Sequence, residues 1–71
     1  MLSDERMKEN IKRVGKLDND LNVYQFKYKG LPETHIGLIA QEVERKRPEA
    51  IVESGGLKYV RYDLATLLEA A

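Results

Sequence analysis

The sequence predicts a small α+β domain in which helices accompany one strand and one β-hairpin. Aromatic and polar residues alternate over residues 22–29 (NVYQFKYK), which is typical of a half-buried strand. Two β-prone runs, AIVE and LKYVRY, flank Ser54-Gly55-Gly56 and predict the hairpin. Apolar residues at helical spacing elsewhere in the chain predict the helices, so the fold class is α+β. With 71 residues, the chain is expected to form one domain, residues 1–71.

The first predicted element is a helix over residues 4–14. Met7, Ile11 and Val14 recur at helical spacing and form one apolar stripe. Ser3 stands at the position of a helix N-cap. The segment KLDNDL is expected to be a turn or loop before the strand, and GLPE turns the chain after it.

A second helix is predicted at about residues 38–46, because Ile39 and Val43 share a helical face and Pro48 marks a stop. After the hairpin, Asp63 is expected to cap a last helix. The apolar stripe of that helix is Leu64, Leu67, Leu68 and Ala71.

Composition excludes several classes of function. Lys+Arg and Asp+Glu both number 12, and this zero net charge argues against nucleic-acid binding. The chain has no cysteine and a single histidine, His35, so a disulfide framework and a zinc site are not expected. Its apolar runs are too short to span a membrane, and no signal peptide is visible. A neutral domain of this size is marginally stable alone, which favours an oligomer or a larger parent protein.

Two interpretations of Ser3 remain open at the level of local sequence. The first is an N-cap without chemistry. The second pairs Ser3, as nucleophile, with Lys8 as its base. This pairing needs a neutral lysine, so Lys8 must be desolvated and the nearby carboxylates of Asp4, Glu5 and Glu9 must point elsewhere. It also needs Ser3 in extended chain, because positions five apart on a helix differ by about 140°.

Three stretches in one order carry a family resemblance: SDERMKENI, HIGLIAQEVERKRPEAI and GLKYVRYDLATLLEA. Together they resemble the C-terminal intramolecular chaperone domain of endosialidases and phage tail spikes and fibres, the S74 peptidase family. The most specific features are a serine and lysine separated by four residues before ENI, and the segment GLIAQEV. The resemblance implies that Ser3 is the nucleophile, that Lys8 is the base and that the bond Leu2–Ser3 is cleaved.

The resemblance further implies a single-turnover, self-cleaving serine endopeptidase. Such a domain promotes trimerisation and folding of a phage tail fibre or tail spike and then releases itself, with Ser3 as the first residue of the released domain. No cofactor or metal is expected. The expected partners are further copies in a homotrimer and the upstream β-rich fibre of the same polypeptide, with no nucleic acid and no membrane. The expected location is the bacterial host cytoplasm during virion assembly, and the virion tail for the parent protein.

A different class of function stays open beside this one. The chain would then be a non-catalytic trimerisation or interaction cap with the same fold, and Ser3 would serve only as a helix cap. Three further roles are also open. Gln41 and Glu42 either bind backbone groups near the cleavage site or simply face solvent in a structural role, and the structural role is favoured. His35 either assists proton transfer or only forms hydrogen bonds.

Overall fold

The computed structural model describes residues 1–66, and this part of the chain is a small α+β domain. The predicted fold class is therefore confirmed. In chain order, the elements are a 3₁₀ turn Glu5–Met7, strands β1 (Lys8–Lys16), β2 (Asn22–Tyr28) and β3 (Thr34–Gly37), helix α1 (Ala40–Lys46), a 3₁₀ turn Pro48–Ala50, strands β4 (Ile51–Ser54) and β5 (Leu57–Val60), and helix α2 (Tyr62–Ala65).

The strands form two antiparallel sheets, one in the order β1-β2-β3 and one made of β4-β5. The predicted β4-β5 hairpin is confirmed, with Ser54 opposite Leu57. Its two-residue turn is Gly55-Gly56, with φ values of 57° and 78°. Positive φ at both central residues is the requirement of a tight hairpin turn, which explains the two glycines.

The predicted helix over residues 4–14 is wrong. Only a 3₁₀ turn forms before β1, which pairs with β2 so that Lys8 lies opposite Tyr28. The pairing shifts register between Glu9 and Lys12, where Asn10 has a φ of 54°. Helix preference is weak over so short a segment, so the long-range hydrogen bonds to β2 decide the structure.

The apolar stripe of that predicted helix is therefore not a core face. Met7, Ile11 and Val14 are 36%, 43% and 48% exposed. Their helical spacing arises without a helix: Met7 lies at the end of the 3₁₀ turn, and Ile11 and Val14 lie on the exposed surface of β1.

Helix α1 is confirmed and organises the main core. It begins at Ala40 and ends at Lys46, shortly before Pro48. Val43 on this helix is 1% exposed, and Ile39 at the N-cap position is 6% exposed. The buried core cluster consists of Leu21, Leu38, Ala40, Val43, Ala50, Val60 and Ala65.

Strand β3 was not predicted, and it explains the glycine of the GLIAQEV segment. An added Cβ on Gly37 would lie 2.6 Å from the Tyr62 hydroxyl oxygen and 3.5 Å from the Phe26 ring. The Tyr62 hydroxyl accepts a hydrogen bond from the Leu38 N–H at 2.8 Å. Gly37 thus gives this tyrosine room to fix the backbone at the end of β3.

The last helix differs from its prediction at the cap. Arg61 occupies the N-cap position of α2, and Asp63 lies in the first turn with an ion pair to Arg61 at 2.7 Å. Leu64 packs against the core. The remaining stripe positions, Leu67, Leu68 and Ala71, lie outside the described residues.

Candidate active site

The first three residues pair with β5 in an antiparallel arrangement through an isolated β-bridge. The Met1 amino group donates to the Val60 carbonyl at 3.0 Å, and the Val60 N–H donates to the Met1 carbonyl at 2.9 Å. The Ser3 N–H donates to the Lys58 carbonyl at 3.2 Å, and Leu2 lies opposite Tyr59. The bond Leu2–Ser3 is therefore held within an extended, strand-paired segment.

Ser3 is fully buried and is not the helix cap. The cap of the first 3₁₀ turn is Asp4, whose carboxylate accepts from the Arg6 N–H at 3.0 Å. The Ser3 carbonyl accepts from the Ala40 N–H at 2.8 Å. Among residues 1–66, the Ser3 Oγ atom has no hydrogen-bond partner. Buried polar groups are nearly always paired, so this unpaired hydroxyl is an exception among the described residues.

Lys8 is buried as well, at 3% exposed. Its Nζ atom donates to the Leu38 carbonyl at 2.8 Å and lies 3.6 Å from the centroid of the Phe26 ring. Burial lowers the pKa of the Lys8 amine to about 8, although the negative charge of Asp4 opposes this shift. The amine is thus much closer to neutrality at physiological pH than an exposed lysine.

The structure places Ser3 and Lys8 against the same stretch of chain. Ser3 contacts the backbone of Ala40 and Lys8 contacts the backbone of Leu38, at the junction between β3 and α1. The part of the chain described here shows no hydrogen bond between Ser3 Oγ and Lys8 Nζ. Ser3 lies outside the 3₁₀ turn and pairs with β5, so the requirement for extended chain at this residue is met.

Two of the acidic residues near Lys8, Asp4 and Glu9, bind other partners. Asp4 is fully buried, and its carboxylate accepts five hydrogen bonds, from the backbone and side chain of Arg6, the Gln41 amide and the Lys58 N–H. The Arg6 guanidinium, together with these other donors, holds the pKa of Asp4 well below its ordinary value. Glu9 is exposed and accepts from the Gly30 N–H at 3.3 Å.

The carbonyl of Leu2 has a partner that the sequence analysis did not assign. The Tyr28 hydroxyl donates to the Leu2 carbonyl oxygen at 2.5 Å. The sequence pattern identifies Tyr28 only as a residue of the strand over residues 22–29. Its pairing with Lys8 depends on β1, which the sequence did not predict.

The structure defines the contacts of Gln41 and Glu42, whose roles were open. Gln41 accepts from the Glu5 N–H at 2.9 Å, so it binds the backbone near the cleavage site. Glu42 has a structural role, because its carboxylate holds the Asn22 backbone N–H and the Tyr24 hydroxyl at 2.8 and 2.6 Å.

The imidazole of His35 packs against two aromatic rings of β2. It stacks on Phe26 with ring centroids 5.8 Å apart and an interplanar angle of 21°. It also meets Tyr28 edge to face at 5.1 Å. His35 is thus part of the aromatic packing behind the site.

No group of three His, Asp or Glu side chains in residues 1–66 is arranged to hold a metal ion. No helix in this range is long and apolar enough to cross a membrane.

The fold and the site together define a class of protein. It is a small α+β domain in which the peptide bond Leu2–Ser3 is paired with strand β5, next to the buried Ser3 hydroxyl, and in which the Lys8 amine is desolvated. The family model Peptidase_S74, described as chaperone of endosialidase, matches residues 3–52. The chain therefore belongs to this family, and the resemblance is confirmed. Membership supports an intramolecular chaperone role, and the family name indicates peptidase activity. Searches of curated proteins and of solved structures found no match.

Proposed function

We propose that this domain promotes trimerisation and folding of a phage tail fibre or tail spike, and then releases itself by cutting the bond Leu2–Ser3. Ser3 is the nucleophile and Lys8 is the general base. The client is the β-rich segment upstream of the cut in the same polypeptide, within a homotrimer. The reaction takes place in the bacterial host cytoplasm during virion assembly, and the client remains in the virion tail.

Two features support the assembly role. Family membership associates this fold with a chaperone. The 3₁₀ turn, strand β1 and the loop after β2 also expose apolar residues, which are available for contact with other chains: Met7, Ile11, Val14 and Leu31. A trimeric domain at one end of a fibre raises the effective concentration of the three strands, which offsets the entropy cost of their long-range pairing.

The chemical step begins with transfer of the Ser3 Oγ proton to the neutral Nζ of Lys8. Oγ forms a bond to the Leu2 carbonyl carbon, and the C–N bond to Ser3 then breaks as the Ser3 nitrogen takes the proton from Lys8. The product is an ester between Leu2 and Ser3. Water hydrolyses this ester, giving a Leu2 carboxylate and a chain that begins at Ser3.

One observation carries this proposal: the Ser3 Oγ atom is fully buried without a hydrogen-bond partner among residues 1–66, directly after a strand-held peptide bond. A structural serine in this position would be expected to pair. A catalytic hydroxyl need not form a hydrogen bond in the resting state, because its partners are the base and the carbonyl carbon that it attacks.

The experiment follows the intact mass of the purified 71-residue chain and of the full-length gene product over time. We expect a fragment whose N-terminal residue is Ser3. Sedimentation equilibrium on the same samples should give a trimer. A trimer that stays uncut indefinitely would instead establish the non-catalytic cap, and a cut elsewhere would exclude Ser3 as the nucleophile.

The rate of scission should depend on pH through Lys8. The base must be neutral, and its pKa is about 8, so the rate should rise with pH below that value and level off above it. The profile is measured by quenching samples between about pH 6 and about pH 10 and quantifying the fragment by mass spectrometry. A rate that falls as pH rises would rule out a lysine base.

The same pKa shift means that the titration of Lys8 itself does not destabilise the fold as pH rises. The pKa of Lys8 is lower in the folded chain than in the unfolded chain, so the unfolded chain holds more protons between the two values. The contribution of Lys8 to the free energy of unfolding therefore rises with pH in this window. Circular dichroism at each pH provides the control.

A further inference from the structure

We propose that Tyr28 is a further catalytic residue, whose hydroxyl stabilises the negative charge that develops on the Leu2 carbonyl oxygen when Ser3 attacks. This inference rests on the proposed self-cleavage. Its starting observation is the 2.5 Å hydrogen bond from the Tyr28 hydroxyl to that oxygen. Tyr28 thus touches an atom that takes part in the reaction.

The backbone pairing of the N-terminal segment makes the Leu2 carbonyl available to this tyrosine. Met1 and Ser3 form the ladder hydrogen bonds to β5, while Leu2 between them forms the non-hydrogen-bonded pair with Tyr59. In an antiparallel ladder, the carbonyl of such a residue is directed away from the partner strand. The Leu2 carbonyl is therefore directed away from β5, and the Tyr28 hydroxyl binds it.

The β1-β2 sheet places the base and the carbonyl donor together. Lys8 and Tyr28 are direct cross-strand partners, so their side chains leave the same face of the sheet. The Lys8 amine lies 5.9 Å from the centroid of the Tyr28 ring. Thus one rung of the sheet supplies the proton acceptor for Ser3 and the hydrogen-bond donor for the oxygen of the bond under attack.

The ring of Tyr28 is held in place by other aromatic side chains. It meets Phe26 edge to face, with centroids 5.3 Å apart and an interplanar angle of 82°. His35 contacts it from β3. A donor fixed before the reaction stabilises developing charge without the cost of reorganising, which is the basis of oxyanion holes.

The chemistry of the hydroxyl suits this role. Burial raises the pKa of Tyr28 above its ordinary value, so the group remains a protonated donor throughout the pH range in which Lys8 titrates. It donates a hydrogen bond and transfers no proton. When the C–N bond breaks, the electron pair on this oxygen re-forms the C=O double bond, and the electrons of the C–N bond leave with the Ser3 nitrogen, which takes its proton from Lys8.

The test compares the scission rates of the parent chain and Tyr28→Phe. Loss of one oxyanion donor typically slows a reaction by about 10²- to 10³-fold, and we expect a loss of this size with an unchanged pH midpoint. Tyr24→Phe is the matched control, because Tyr24 lies on the same strand and its hydroxyl binds Glu42 instead of Leu2. We expect its rate to stay close to that of the parent chain.

A second measurement reads the hydrogen bond without scission. In the Ser3→Ala background, the ¹³C chemical shift of the labelled Leu2 carbonyl should change upon Tyr28→Phe and stay constant upon Tyr24→Phe. No change in that shift, or equal scission rates for the parent chain and Tyr28→Phe, would refute the role of Tyr28 and leave the Ser3–Lys8 proposal standing. If the parent chain is never cut, the proposed function itself fails.

Discussion

Replacement of Ser3 by alanine is expected to abolish scission at Leu2–Ser3 without loss of the fold. The substitution removes the attacking oxygen, so no ester forms. The hydroxyl makes no hydrogen bond within residues 1–66, so its removal leaves no partner unsatisfied. We therefore expect the free energy of unfolding to stay constant or to rise slightly, as happens when an unpaired buried polar group is removed. Denaturing gels and intact mass measure the scission, and urea unfolding measures the stability.

The lysine provides the companion variant. Lys8→Arg retains the positive charge but cannot serve as a base, because arginine does not deprotonate in proteins. It should stop scission, and Lys8→Met, which removes the charge from a buried position, should do the same. Scission at the same bond in Ser3→Ala would show that Ser3 is not the nucleophile. Scission in Lys8→Met would remove Lys8 from the mechanism but retain Ser3.

Replacement of Val43 by aspartate should unfold the domain. Val43 is 1% exposed within the core cluster of α1, and an unpaired carboxylate there costs several kcal/mol. Domains are typically stable by only about 5–15 kcal/mol, and one of this size is at the lower end. We expect the cooperative melting transition to disappear in circular dichroism.

Arg45→Asp is the matched control for that variant. It introduces the same carboxylate into the same helix at an exposed position, where the expected cost is below about 1 kcal/mol from the helix dipole. If Val43→Asp melted like the parent chain, the placement of α1 over the core would be wrong. Since the Ala40 N–H binds the Ser3 carbonyl, loss of α1 should also stop scission, and the melting curve separates this effect from that of Ser3→Ala.

Two opposing effects act on the pKa of Lys8. Burial lowers the pKa of the amine, while the negative charge of the buried Asp4 raises it. Asp4 is bonded to Arg6 and Gln41, so its carboxylate is held on partners other than the amine. Lys8 is left with a neutral backbone carbonyl as its hydrogen-bond acceptor. A neutral acceptor permits loss of the proton far more readily than a carboxylate would.

The features that depend on neighbouring residues alone could be predicted from the amino-acid sequence. Alternation of Tyr24, Phe26 and Tyr28 fixed β2, because a strand has a period of two. Gly55-Gly56 fixed the hairpin turn, because both positions need positive φ. The motif spacing also singled out Ser3 and Lys8 as a pair, and the family match covers both.

The conformation of residues 8–16 and the assembly of the site depend on contacts between distant parts of the chain. Apolar residues at helical spacing predicted a helix there, but pairing with β2 outweighs a weak local preference. The burial of Lys8, the hydrogen bond from Tyr28 to Leu2 and the strand pairing of the first residues with β5 all join positions that are distant in sequence. Local periodicity carries no information on such contacts, because they form only when distant segments come together in the folded chain.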